Sequence, residues 1–407
     1  MLRWLKNIGP GPLVAAAFIG PGTVTVCTLA GVNFGYALLW AMVLSIVATI
    51  VLQEMSARLG IVTQKGLSQV IRENISNPLL SLLALMLILS AIVVGNAAYE
   101  AGNISGAVLG MEAIFGVLRL ELGLASLNVF SLIIGALAFI LLYIGKYKVL
   151  ERVLVSLVIL MSFSFLITAI LTKPDISKIL GSVFIPKAPQ DSILTIIALI
   201  GTTVVPYNLF LHASLVKEKW HAIEDLKHAR RDTIVAVILG GIVSMCIIVS
   251  AAAIPNLEVN SAADLALAIE PLFGAQAKVI LAIGLFAAGL TSAVTAPLAA
   301  AFVAKGCLGW EGGLRSRNFR LVWFIVLLLG VLSSSSGFKS IDIIKFAQVA
   351  NGILLPVTAA FLLWIVNRKQ VMNVHKNSLK QNVLALIILG ITVFLGIKSI
   401  LKVFELI

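Results

Sequence analysis

The sequence has little charge, few acids and almost no cysteine. Only 12% of its 407 residues are charged, and 18 are Asp or Glu. A soluble domain of this length needs a polar surface, so this composition excludes one. Three cysteines, Cys27, Cys246 and Cys307, lie far apart in or beside apolar runs. That spacing excludes a disulfide framework and a cysteine metal site. Long polar insertions are missing too: the longest connector, about 215–232, is too short for a domain. The first apolar segment lacks a clear small-x-small cleavage site, so it does not read as a signal peptide. The motifs bring together no nucleophile and base and no carboxylate pair, so an enzyme is not expected.

What is present is apolar length. Hydrophobic residues make up 60% of the chain, and mean hydropathy is +1.08. A transmembrane helix takes about 20 apolar residues. Eleven runs qualify, at roughly 11–32, 36–57, 80–110, 125–145, 149–172, 192–214, 233–255, 276–304, 320–337, 343–366 and 382–402. The fold class predicted is therefore an all-α polytopic membrane protein in one domain, 1–407. With a cytoplasmic N-terminus, 21 of the 30 Lys and Arg fall on cytoplasmic stretches and nine outside. That is the positive-inside pattern, giving N-in, C-out in the inner (plasma) membrane. The net charge of +12 is thus topological. Its partner is the anionic lipid bilayer, and no nucleic acid is expected.

Polar and helix-breaking residues inside spans carry the functional signal, because each is expensive there. Span 1 contains "AFIGPGTVTVC", Ala17 to Cys27, with Gly20, Pro21 and Gly22 together. Span 6 contains "IGTTVVPYNLFLHASLVKEKW", Ile200 to Trp220, with Pro206 near its middle. Backbone groups freed by such breaks are tolerated only where protein or a cavity satisfies them. Two broken helices five spans apart point to an inverted repeat of five plus five helices, with a substrate site between the breaks. The repeats run over about 11–172 and 192–366, with an extra helix at 382–402. Unwinding is expected near Gly20–Thr23 and Thr202–Tyr207.

Span 6 resembles that of the Nramp family (natural resistance-associated macrophage protein) of proton-coupled divalent metal transporters, which reads roughly A-T-V-M-P-H-N-L-Y-L-H. "LQEMSARLGIVTQKGLSQVIREN", Leu52 to Asn74, is similar to the family's S-A-R-L-G segment and following loop. The resemblance implies a leucine-transporter-type fold, alternating access and import toward the cytoplasm. It also implies that Thr202 offers a backbone carbonyl to substrate, that Gln348 helps to occlude it, and that Glu100 and His212 serve a proton pathway. Of the family's two acids in span 3, the first position is Ala97 here and the second is Glu100.

The chain departs from the family where metal is held. The family's D-P-G-N is Gly20, Pro21, Gly22, Thr23 here. Its methionine is Val205, and the histidine after the proline is Tyr207. Pro206, Asn208 and His212 remain. Leu290 stands where the family tends to carry glutamine, and Thr291, Ser292 and Thr295 read as helix-packing residues. The substrate-binding candidates are Gly20, Gly22, Thr23, Thr202, Val205, Tyr207, Asn208 and Gln348. Transition metals favour carboxylate, imidazole or thioether donors, which this set lacks. No metal ligand is assigned and no cofactor is expected.

Two substrates stay open. A hard, partly hydrated cation such as magnesium could bind through waters and oxygens. A small anion or zwitterion, such as bicarbonate, a carboxylate or an amino acid, could bind at the helix amides beyond each break. Glycine-rich first breaks do this in amino-acid transporters of the fold, by analogy. Glu54 and Arg58, near the inner end of span 2, form a candidate ion pair. A monomer is expected, with a proton as the coupled partner implied by the family.

Overall fold

The computed structural model describes residues 19–122, 125–145, 148–254 and 258–403. The start of the predicted first span, 11–18, lies outside these residues, as do Arg3, Lys6 and Lys146. Among the described residues, nine helices are long and apolar enough to cross a membrane. They are Leu39–Thr63, Pro78–Phe115, Arg152–Leu171, Ile193–Lys219, Ile223–Ala251, Ala262–Leu308, Arg317–Ser334, Ser340–Val366 and Leu379–Leu401. The shorter apolar helix Val129–Ile144 is span 4, and Pro21–Phe34 is the described helix of span 1. Each of the eleven predicted runs therefore meets a helix.

Two local differences have plain causes. Span 4 starts at Val129 rather than 125. The residues before it form a hairpin, with Arg119–Leu122 antiparallel to Ala125–Asn128. Asn128 then caps the helix, its side chain accepting from the Phe130 and Ser131 amides. A capping oxygen satisfies amides that have no intrahelical partner, and so fixes where a helix begins. Span 3 carries a π turn at Ser90–Val94. Beyond it, Asn96 Nδ2 donates to the Ala296 carbonyl of span 8 at 2.9 Å.

Span 3 is the axis of the bundle, with spans 8, 9 and 10 packed along it. Spans 1 and 2 pack on span 7, and the second half of span 6 packs on span 2. Small residues set these crossings. Carbon added at Gly110 or Gly289 would strike backbone atoms of spans 8 and 3 respectively. Close backbone approach through small residues is how helices associate in lipid, where burial of apolar surface gives little drive.

The S-A-R-L-G segment is explained by the same packing. Ser56 Oγ donates to the Leu209 carbonyl of span 6. Gly60 lets the Ala213 carbonyl come close. Arg58 is 4% exposed and donates to Glu54, to Asn377 Oδ1 and to the His375 carbonyl. Glu54 in turn receives Arg230 of span 7 at 2.7 Å. The predicted Glu54–Arg58 pair thus exists at 3.2 Å, as one part of a larger network at that end of span 2.

Candidate functional site

The break in span 6 is tighter than the sequence suggests, and that in span 1 ends sooner. In span 1, Ile19 and Gly20 are non-helical and the helix starts at Pro21. Gly22 and Thr23 therefore belong to its first turn and are not unwound. In span 6, one helix closes at Thr203 and the next opens at Pro206. Only Val204 and Val205 lie between, so Thr202 and Tyr207 are helical. The reason is local: proline lacks an amide and has a fixed φ, which suits the first position of a helix. The same missing amide leaves the Thr202 carbonyl without its i+4 donor, since that residue is Pro206.

The two breaks meet through their threonines. Thr23 Oγ1 and Thr202 Oγ1 are 2.8 Å apart. Gln348 of span 10 covers both sides of this contact. Its side chain lies directly over Gly22, where any β-carbon would collide with the amide. Its backbone carbonyl lies as close to Gly201. Tyr207 packs its ring edge-on against Tyr99 of span 3, with centroids 5.5 Å apart. Thr23, Thr202, Val205, Tyr207, Asn208 and Gln348 are all buried, none more than 1% exposed. The structure thus joins spans 1, 6 and 10 in one buried cluster.

Several polar atoms there have no protein partner. They include both side-chain atoms of Asn208, Oε1 of Gln348 and Nδ2 of Asn351. A buried polar atom left without a hydrogen bond costs about 1–3 kcal/mol. Orphaned donors and acceptors beside paired helix breaks are what a substrate would satisfy. Among the described residues, no three of His, Cys, Asp or Glu come together as a metal-holding group. The available donors are hydroxyls, amides and carbonyls.

The two proton-pathway candidates adjoin this set: Glu100 follows Tyr99, which packs on Tyr207, and His212 stands one helical turn beyond Asn208. Glu100 is fully buried. Its Oε2 accepts from Asn103 at 3.3 Å, and its Oε1 is unpartnered. The side chain fits because span 9 carries Gly330 opposite it. His212 Nδ1 is hydrogen-bonded to Gln53 Oε1, and its Nε2 has no partner. Sequence reasoning missed Gln53, Asn103 and Gly330. The first two carried a signal, being amides inside apolar spans. Gly330 carried none, because one glycine in an apolar helix does not announce its neighbour.

The sequence comparison decides the family. The model described as natural resistance-associated macrophage protein-like matches residues 11–402. The chain belongs to the Nramp family. Curated relatives include the divalent metal cation transporter MntH of Bradyrhizobium diazoefficiens, 29% identical over 97% of this chain and 89% of that protein. MntH of Verminephrobacter eiseniae is 28% identical, covering 92% and 84%. Among solved structures, a manganese transporter of Eremococcus coleocola superposes with TM-score 0.76 at 23% identity, covering 98% of this chain and 86% of that one. MhsT bound to L-phenylalanine matches with TM-score 0.60 at 16% identity, covering 96% and 98%. Nramp membership and the leucine-transporter-type fold are thus established, and the protein is a multi-pass membrane transporter. Of the four departures, Gly20 and Val205 are the non-helical residues just before Pro21 and Pro206, Thr23 and Tyr207 lie in the first turns of the helices those prolines open, and Thr23 itself makes the contact with Thr202.

Proposed function

We propose that this Nramp-family protein is a secondary-active transporter of a hard, partly hydrated divalent cation of the magnesium class, rather than of manganese or iron. The carrying observation is the site's chemistry: neutral hydroxyls, amides and carbonyls with no carboxylate or thioether among them, and unpartnered atoms on Asn208 and Gln348. Hard cations take oxygen ligands and keep several waters. Softer metals lose the thioether and carboxylate that would select them. The curated relatives, named as divalent metal cation transporters, favour a cation. Import by alternating access would place the described form at a closed stage. Glu100 and His212 would carry the coupled proton. The five-helix repeats would span about 11–172 and 192–366. Bacterial relatives support a plasma-membrane location, and the charge pattern supports a cytoplasmic N-terminus.

A small anion or zwitterion is the second reading. It is favoured by the start of the span 1 helix at Pro21, which turns the Gly22 and Thr23 amides toward the break. Helix N-termini attract negative charge, and the site set contains no carboxylate to repel it. Uptake into proteoliposomes separates the readings. The panel is magnesium, manganese, bicarbonate and small carboxylates, with and without a pH gradient. Saturable magnesium uptake with weak manganese competition is expected. Uptake of bicarbonate or a carboxylate alone would replace the cation reading.

A further inference from the structure

The geometry points to Ser292 of span 8 as a further substrate-binding residue, its hydroxyl lying where a side chain on residue 20 would project. This rests on the reading of the Gly20–Asn208 region as the substrate site. A β-carbon built on Gly20 meets Ser292 Oγ at 3.2 Å, its nearest neighbour. Gly20 is the last non-helical residue before the span 1 helix, so Ser292 faces the break itself. Its neighbours on span 8 behave differently. Thr291 and Thr295 turn their hydroxyls back onto the carbonyls of Ala287 and Thr291, at 2.8 and 2.9 Å. Those are self-satisfied helix hydroxyls, whereas Ser292 is directed across the helix contact.

A second oxygen is next to Ser292 along the chain. Pro297 is inside the span 8 helix. Proline offers no amide to the carbonyl four residues back, which is that of Ala293, next to Ser292. Span 8 therefore repeats the device of span 6, where Pro206 frees the Thr202 carbonyl. In each span a residue whose hydroxyl meets span 1 stands at or next to the freed carbonyl in sequence: Thr202 in span 6 and Ser292 in span 8. A hydroxyl and a carbonyl are ligands that a hard cation accepts. The site then draws on spans 1, 6, 8 and 10.

Magnesium and manganese are the probes, with uptake and calorimetric binding on purified full-length protein. Ser292→Ala should raise KM for magnesium on the order of tenfold, the usual worth of one hydrogen-bonding group to a charged partner. Maximal rate and monodispersity should hold. Asn208→Ala is the control for the site itself. In the Gly20→Asp background the carboxylate takes over the hydroxyl's space. Adding Ser292→Ala there should leave manganese binding unchanged or tighter. Opposite responses in the two backgrounds support the assignment. If Asn208→Ala weakens uptake while Ser292→Ala does nothing, Ser292 is a packing residue and the inference fails alone. If neither variant changes uptake, the site reading fails and takes the inference with it. Equal weakening by Ser292→Ala in both backgrounds would also overturn it, because the hydroxyl would then act independently of position 20.

Discussion

Gly22 has no room for a side chain. Gln348 occupies the space over it, so Gly22→Ala must push Gln348 off the break. Transport should then fall below a tenth of wild type while the protein stays monodisperse, since the collision is with the end of a flexible side chain. Uptake matching wild type would show that Gln348 is not needed where it lies. Position 20 is different, because a β-carbon fits there with slight adjustment of Ser292. Gly20→Asp should therefore fold. If the cargo is a cation, it should hold or raise affinity, because an added carboxylate in a low-dielectric site attracts a cation strongly. If the cargo is an anion, it should abolish binding. Calorimetry with magnesium and with bicarbonate reads the sign. Gly330 poses the same question for Glu100. Gly330→Leu would overpack the helix contact, at about 1–3 kcal/mol, and drive the carboxyl out of place. We expect the pH dependence of uptake to flatten, as it should in Glu100→Gln; an unchanged pH profile in both would remove Glu100 from the proton route.

At the level of helices, the breaks were legible because proline and glycine leave a mark in an apolar run that no packing can hide. Their length was not legible. In span 6, proline at the first helical position leaves only Val204 and Val205 between the two helices, and that depends on which residues close the preceding turn. The hairpin at 119–128 was also hidden, since four-residue strands are too short for a period of two to stand out. The network around Arg58 was half legible. Glu54 and Arg58 are one helical turn apart, but Arg230 and Asn377 come from distant chain segments. That network ties span 2 to span 7 and to the linker before span 11. Removing one partner of a buried charge is costly, about 3–5 kcal/mol. Arg58→Ala should therefore loosen the inner end. A thiol introduced by Leu209→Cys, at a fully buried position, should label at least severalfold faster in the Arg58→Ala background. Equal labelling rates would mean the network stabilises the fold without holding the inner end shut.

For the whole molecule, class and family were readable from hydropathy and two motifs, because lipid imposes length and proline imposes breaks. The joining of spans 1, 6 and 10 required the structure. Contacts such as Thr23–Thr202 and Ser56–Leu209 link residues more than 150 positions apart. The substrate reading makes a prediction at this scale as well. Manganese should bind weakly, with no micromolar constant by calorimetry. The triple variant Gly20→Asp, Thr23→Asn, Val205→Met should bind it more tightly on the order of a hundredfold, as a charge and a soft donor return together. A wild-type protein with micromolar manganese affinity would refute the altered-selectivity reading outright.

Pro21 and Pro206 each open a half-helix at the centre of the bundle. Neither offers a ligand, and neither takes part in naming the cargo. The joint of the machine and its lock are therefore made of different residues. A lineage could exchange the side chains around the joint, one at a time, and keep a working hinge at every step. Manganese, magnesium or an anion would then be successive tenants of one permanent piece of architecture.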